Sequence, residues 1–444
     1  MLLRIKKLFL LIIYFIFPAA LVYLYFSESW YAITDLWSIS MVAGLLAASI
    51  LLNQFILSAR IKLLDRVFGL DKILKFHGHV MIAADLLLIF HLVLKLLLLF
   101  NFNLQMYLGF TAFGIYFTIV FITVLLMVKT YTEPVYIFRK FRDFIIEKTG
   151  IQYQSLRFLH KFTFFALIIM TVHIVLASST QENNIRIYFI AGWCFFVLLF
   201  YLKNLFIKPA VLKKRAFTVT DVIKENYNVT TIKMKLPEKS KFNYKAGQFA
   251  YFKFLNGKPG KEEHPVSFSS PSGNTTSITV KNLGDWTEKL KDIRPGDKVA
   301  VDGPYGVFSY RRVKPGKEIC FIAGGIGITP FLCMLRDIRQ KRIIIKSIKL
   351  IWQARRTDDF IYFEEIKNYV KEIDNFEFFP VITGDEDWDG ISGRINTEKL
   401  NSMKLPKKAE YFICAPYKML KSTIKLLKKT GVKKRLMNYE NFNM

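Results

Sequence analysis

Six apolar runs in the first half constrain this chain more than any other feature. They fall at about 8–26, 36–57, 74–100, 109–128, 158–178 and 187–207. Each is close to the roughly 20 residues that a helix needs to cross a hydrocarbon core. The first run lacks a clear small-residue cleavage site and is followed by five more, so it reads as a span and not a signal peptide. Beyond residue 207 the chain alternates short Val/Ile/Phe segments with Gly, Pro and Lys, as a water-soluble protein does. Two halves built for two solvents follow from this.

The charges between the runs give an orientation. Lys and Arg total 63 against 35 Asp and Glu. They gather at Arg4, Lys6 and Lys7, at Arg60–Lys75, at Lys129–Arg157 and at Lys208–Arg215, whereas the intervening loops carry only Arg186. The positive-inside rule then places both termini and the soluble half in the cytoplasm. The connection near 129–157 has room for a short helix on the membrane surface. The basic balance is accounted for by these loops, by attraction to anionic membrane lipid and by a phosphate-rich cofactor, and nothing points to nucleic acid. The four cysteines, Cys194, Cys320, Cys333 and Cys414, have neither disulfide-framework nor zinc spacing.

Five of the six histidines lie in the apolar half. An ionisable group inside a span is costly and is by default a functional candidate. His77 and His91 are 14 residues apart in the third run, and His160 and His173 are 13 apart in the fifth. These separations correspond to roughly 21 and 19.5 Å of helix. The third and fifth runs cross in the same direction, so His77 lies level with His160 near the cytoplasm and His91 with His173 near the outside. One histidine from each helix at two levels is what two stacked bis-histidine haems require, an arrangement suited to electron transfer. Fourteen residues return to within ~40° of the same helix face, but thirteen leave ~140°, so the fifth helix is expected to tilt or distort, or to meet its haems from different sides. His79 is the rival to His77, with a poorer phase relation of ~120° to His91. Lys95, one turn beyond His91, either pairs with an outer haem propionate or snorkels to the interface.

In the soluble half, Phe217 to about Phe308 reads as short antiparallel strands of a β-barrel, and from Glu318 strands alternate with helices as in a parallel α/β sheet. In "EICFIAGGIGITPFLCML" a strand runs into Gly324, Gly325 and Gly327, and Thr329 and Pro330 then open a helix. Glycines admit a phosphate to the backbone, and a helix N-terminus favours its charge. Arg355 and Arg356, at the next strand's end, either grip a 2′-phosphate, favouring NADPH over NADH, or are surface charge.

Taken in order, these segments resemble the ferric-reductase-like transmembrane proteins with a ferredoxin–NADP reductase-type dehydrogenase, specifically the NADPH oxidase branch, over about residues 36–444. The four histidines resemble its two haem ladders. "HPVSFSS" resembles its flavin motif, which implies that His264, Pro265, Val266, Ser267 and Ser270 hold FAD. "VKNLGDWTEKL" implies Lys281 and Thr287 near the flavin diphosphate. "DGPYG" resembles the barrel's closing turn, and "AGGIGITP" the NADPH pyrophosphate loop. "CAPYKML" puts Cys414 beside the nicotinamide, with Ala415 in place of the usual Gly. The tail "NYENFNM" implies that Phe442 covers the flavin, although Asn443 and Met444 follow it.

The resemblance implies three parts: a six-helix transmembrane domain with two b-type haems (1–209), an FAD-binding β-barrel (210–312) and a nucleotide-binding α/β domain (313–444). It implies electron flow from cytoplasmic NADPH through FAD and both haems to O2 outside, giving superoxide, with NADH an alternative donor. The same wire serves a ferric or cupric-chelate reductase, or a membrane donor to a partner protein or quinone. No EF-hand loop or regulatory extension is evident, so constitutive activity without a regulatory subunit is expected, in a bacterial cell membrane.

Overall fold

A computed structural model describes residues 2–27, 34–98, 103–128, 132, 135–151, 153–238, 241–257, 259–260 and 262–439. The chain forms two compact units, one ending at Ile207 and the other beginning at Lys208.

The first unit holds six segments long and apolar enough to cross a membrane. They are α1 (Leu2–Phe26), α2 (Leu36–Leu57), α4 (Leu70–Leu97) and α5 (Leu104–Met127), then a fifth made of α7 (Tyr153–His160) and α8 (Thr163–Val175), and a sixth that begins with α9 (Asn184–Leu202). Between them lie α3 (Lys62–Phe68) and α6 (Tyr136–Thr149). Helices α5 and α9 begin a few residues before their apolar runs, each behind an asparagine whose side chain caps it. The Asn103 side chain accepts from the Met106 N–H at 3.0 Å, and that of Asn183 accepts from the Ile185 N–H at 2.7 Å.

Helix α2 is the centre of the bundle: 61% of its apolar window is buried, against 17% for α4. Its sequence, with Ser40, Gly44, Ala47, Ala48 and Ser49, is rich in small residues that let helices approach closely. The other helices turn Phe90, Leu97, Phe121, Tyr188 and Phe195 outward. Such a surface suits lipid, which does not exclude apolar side chains.

The fifth span breaks at its first histidine. Lys161 and Phe162 donate N–H bonds three residues back, to Phe158 and Leu159, each at 3.0 Å, and the Thr163 hydroxyl donates to the His160 carbonyl at 2.8 Å. A tightened turn thus separates α7 from α8, at the place where the 13-residue spacing demanded a change of phase. Helix α6 occupies the basic connection; its Ile137, Phe138, Phe141 and Phe144 are exposed.

The second unit opens with α10 (Lys208–Lys214). Lys208 pairs with buried Asp302 at 2.8 Å, and Asp302 also accepts from the Tyr305 hydroxyl at 2.7 Å, which ties this helix to the "DGPYG" segment. Six strands follow: β1 (Phe217–Lys224), β2 (Val229–Lys235), β3 (Phe249–Phe254), β4 (His264–Ser267), β5 (Thr275–Lys281) and β6 (Lys298–Tyr305). They form an antiparallel sheet in the order β4-β3-β6-β1-β2-β5. Among the described residues the edges meet only at an isolated bridge, Phe268 to Ile278. What the structure describes is a six-stranded antiparallel sheet, where the sequence led to a barrel.

The remaining strands are β7 (Glu318–Gly324), β8 (Ser347–Ala354), β9 (Phe376–Ile382), β10 (Ile391–Ser392), β11 (Glu410–Cys414) and β12 (Met437–Tyr439). They pair in parallel in the order β10-β9-β8-β7-β11-β12. Helices α11 (Thr329–Gln340), α12 (Phe363–Glu372) and α13 (Tyr417–Lys429) make the connections. The central strands are buried on both faces, by Phe321, Ile322, Ile351 and Trp352 among others, as a covered parallel sheet requires.

Candidate cofactor sites

In the helical unit His91 (α4) and His173 (α8) line one cavity of about 370 Å³. Their surroundings match. His91 Nδ1 is 2.7 Å from the Ser40 carbonyl oxygen and His173 Nδ1 is 2.7 Å from that of Gln105. A carbonyl only accepts, so both Nδ1 atoms carry the proton, and Nε2 keeps its lone pair. This is how metal-ligating imidazoles are oriented. A glycine makes room for each ring. A Cβ on Gly44 would stand 3.0 Å from His91 Cε1, and one on Gly109 would stand 2.6 Å from His173 Cε1. Lys95 lines the same cavity with its Nζ 3.3 Å from the centre of the Trp37 ring.

At the other level His77 and His160 have ring centres 6.3 Å apart, with planes at 78°. Two imidazoles on opposite sides of one metal, with bonds of about 2 Å, place their centres about 6 Å apart. His160 Nδ1 is 3.5 Å from the Thr123 hydroxyl, and His77 Nδ1 is buried with no hydrogen-bond partner among the described residues. His79 is exposed, and its Nδ1 bonds the Lys75 carbonyl of its own helix at 2.6 Å. Among the described residues no three His, Cys, Asp or Glu gather to hold a bare metal ion. Two imidazoles at this separation fit a metal whose remaining ligands come with it, as those of haem iron do.

In the second unit the glycine loop forms as a strand–turn–helix. Gly324 ends β7, a 3₁₀ turn covers Gly325–Ile328, and Thr329 and Pro330 open α11. Gly325 has φ +54°, a left-handed conformation that glycine adopts freely. A Cβ on Gly327 would run into the Cys414 main-chain carbonyl, and one on Gly324 would meet Met419 Sδ at 2.6 Å. The loop and the "CAPYKML" segment thus touch, which brings Gly327 and Cys414 together. Arg355 and Arg356 are exposed just beyond β8, with Arg356 3.7 Å from Asp358. Phe442 lies outside the described residues.

The flavin-motif residues lie on β4 and just after it. Pro265 and Val266 pair with Tyr251 and Ala250, and Ser267 is buried. The Ser270 hydroxyl accepts from the Ser277 N–H at 2.8 Å, and its carbonyl accepts from the Cys333 thiol of α11 at 2.9 Å. Burial pushes that thiol up to about 12, which keeps it a neutral donor. The motif and the nucleotide-loop helix are therefore neighbours. Three of the expected contacts are otherwise engaged. His264 stacks on Trp286, with centres 4.2 Å apart, and its Nε2 is 3.0 Å from Glu262. Lys281 pairs with Asp359 at 2.7 Å, and the Thr287 hydroxyl organises its own turn through the Leu283 and Gly284 N–H groups.

Sequence reasoning missed Arg336. It holds Glu365 through two bonds of 2.7 Å and donates to the Ser269 carbonyl at 2.7 Å. Burial alone would raise the Glu365 carboxyl, but the Arg336 hydrogen bonds and charge bring it below the usual glutamate range. Sequence reasoning also missed Tyr362, whose hydroxyl is 2.7 Å from that of Thr231 and 3.1 Å from that of Thr279.

Known protein families match within the second unit. An FAD-binding domain family matches residues 215–309, and an oxidoreductase NAD-binding domain family matches 321–425. A Na(+)-translocating NADH-quinone reductase subunit of Psychrobacter cryohalolentis is 29% identical over 181 residues, covering 39% of this chain and 43% of the relative. The glycine betaine monooxygenase reductase subunit of Pseudomonas aeruginosa is 28% identical over 218 residues, covering 47% and 59%. The chain thus spans about half the length of the curated relatives it matches. The crystal structure of flavohemoglobin from Malassezia yamatoensis, with bound FAD and heme, has a TM-score of 0.50 at 16% identity, over 92% of this chain and 99% of that one. That likeness concerns the fold alone. The chain joins an FAD-binding domain and an oxidoreductase NAD-binding domain to a helical domain. Six long apolar helices in that domain fit a multi-pass integral membrane protein.

Proposed function

We propose that this chain is a transmembrane oxidoreductase of the NADPH oxidase branch, taking electrons from cytoplasmic NADPH to O2 on the outer side and releasing superoxide. When bound, FAD divides a hydride's two electrons and two bis-histidine haems carry them singly. The observation that carries the reading is the pair His91 and His173. Each is held through Nδ1 by a main-chain carbonyl, each is given room by a glycine, and both face one cavity.

The residues divide the work. His77 and His160 hold the inner haem, and His91 and His173 the outer one. A histidine from each of two helices at each level would leave a bound haem suited to passing electrons on and not to binding O2. Gly324, Gly325 and Gly327 admit the dinucleotide phosphates to the backbone, and the Thr329–Pro330 helix start faces their charge. Arg355 and Arg356 receive the 2′-phosphate. His264, Pro265, Val266, Ser267 and Ser270 hold the flavin. Lys281 and Thr287 turn from their present partners to its diphosphate, and Cys414 and Phe442 set the approach of nicotinamide. The parts are 1–209, 210–312 and 313–444, in a bacterial cell membrane with both termini in the cytoplasm.

The test is anaerobic reduction by NADPH, followed by air. The reading expects a low-spin b-type haem spectrum that reduces without oxygen, and reduction of cytochrome c in air that superoxide dismutase suppresses. Haem that is reduced but consumes no oxygen, and is rapidly reoxidised by a ferric chelate, contradicts the choice of acceptor.

A further inference from the structure

The two histidine levels differ at Nδ1. His91 and His173 each meet a carbonyl, whereas His77 Nδ1 is buried without a partner among the described residues. The carboxamide oxygen of Gln54, on α2, is likewise buried with no hydrogen-bond partner among the described residues. One is a potential donor and the other an acceptor, and leaving both unmade is costly.

The repeat along α2 and α4 relates them. Ser40 of α2 meets His91 of α4. The short connection through α3 makes the two helices antiparallel, so residues whose numbers share one sum lie at the same level. Ser40 and His91 sum to 131, and so do Gln54 and His77. Each member of the second pair is 14 residues, two heptads, from its counterpart, and two heptads return a residue to the same seam between packed helices. Gln54 thus stands to His77 as Ser40 stands to His91.

The contacts around Gln54 agree on the level. Its amide nitrogen donates to the Tyr14 hydroxyl at 3.0 Å and to the Ile50 carbonyl at 3.2 Å. The Tyr14 ring packs on Phe76, the residue before His77, with centres 5.5 Å apart. Asn53 Nδ2 fixes Tyr14 further by donating to its carbonyl at 3.1 Å. The nitrogen end of the carboxamide is therefore committed, and its oxygen is the end without a partner among the described residues.

We propose that the Gln54 carboxamide oxygen accepts the hydrogen bond of His77 Nδ1–H, so that Gln54 is the positioning residue of the inner histidine level. His77 Nε2 then keeps its lone pair, as those of His91 and His173 do. An acceptor at Nδ1 makes an imidazole a stronger electron donor, so this residue also sets the potential of the inner site. The inference rests on the bis-histidine reading of the proposed function.

The experiment uses the full-length, haem-loaded protein. Spectroelectrochemical titration gives the midpoint potential of each haem, and transfer to apomyoglobin gives the rate at which each is lost. Gln54→Leu is expected to raise the potential of one haem and to speed its loss about tenfold, with the other unchanged. Gln54→Glu, which keeps size and offers a stronger acceptor, is expected to lower the same potential, and it carries the test if the leucine variant does not fold. His77→Ala should abolish the signal that moved. Wild-type potentials and loss rates in both Gln54 variants overturn the proposal while leaving two low-spin haems in place. Absence of low-spin haem from the wild-type protein overturns the bis-histidine reading, and this proposal with it.

Discussion

In the helical unit each candidate ligand stands against an apolar background, whereas in the reductase unit candidate ligands stand among many other charges. The consequence is visible in their partners. His91 and His173 have their Nδ1 atoms satisfied by main-chain carbonyls, with the opposite nitrogen left free for a ligand. Lys281, His264 and Thr287 have instead found Asp359, Trp286 and their own turn. A polar group in a membrane interior is retained only where something specific holds it. A polar group on a soluble surface has many inexpensive partners. Partner choice therefore informs about function in the first unit far more than in the second.

The largest expected effect breaks the comparison at its strong end. His91→Ala and His173→Ala should each lose one haem per chain by pyridine haemochrome assay, and His79→Ala should keep both. Two haems surviving in His91→Ala would refute the ligand assignment.

The next sharpens it. Gly109→Ala places a methyl 2.6 Å from His173 Cε1. Overpacking of this kind costs about 1–3 kcal/mol and should lower occupancy of the outer haem. Gly114→Ala, on the same helix, has nothing within 4 Å of the new methyl and should leave occupancy unchanged. Equal behaviour of the two variants would remove the cradle from the account.

What was legible in the sequence follows the same divide. Rare ionisable groups at repeating intervals gave away the histidine levels and, by mismatch, the distortion of the fifth span. The place of that break could not be read, because it depends on Thr163 capping the His160 carbonyl. Gly44 and Gly109 could have been noticed as glycines inside apolar helices, but their partners lie 47 and 64 residues away in the chain. In the reductase unit the glycine loop was legible because its backbone chemistry is local. Arg336 was not, since Ser269 and Glu365 join it only through the packing of α11 and α12.

The smaller effects concern that packing. Arg336→Ala removes charged hydrogen bonds to Glu365 and Ser269 and should cost the reductase unit about 2 kcal/mol, read as a lower denaturant midpoint with helical-unit haem content unchanged. Acid should act on the same region. Burial would raise the Asp337 carboxyl, but hydrogen bonds from Lys341, Tyr310 and Arg311 hold it below the ordinary range, and Glu365 is also lowered. A carboxyl lowered on folding stabilises fully above its unfolded pKa of about 4 and loses that contribution as pH falls through the folded value. Unfolding of the reductase unit should therefore become easier below about pH 4, and less steeply so in Asp337→Asn.

The central claim is that two histidine levels in the helical unit each hold one haem. The most direct measurement is haem stoichiometry, together with the low-temperature ferric EPR spectrum of the purified full-length protein. Two haems per chain, both low-spin with bis-imidazole signals, is the result expected. One haem, none, or a high-spin centre with an open axial position would contradict it.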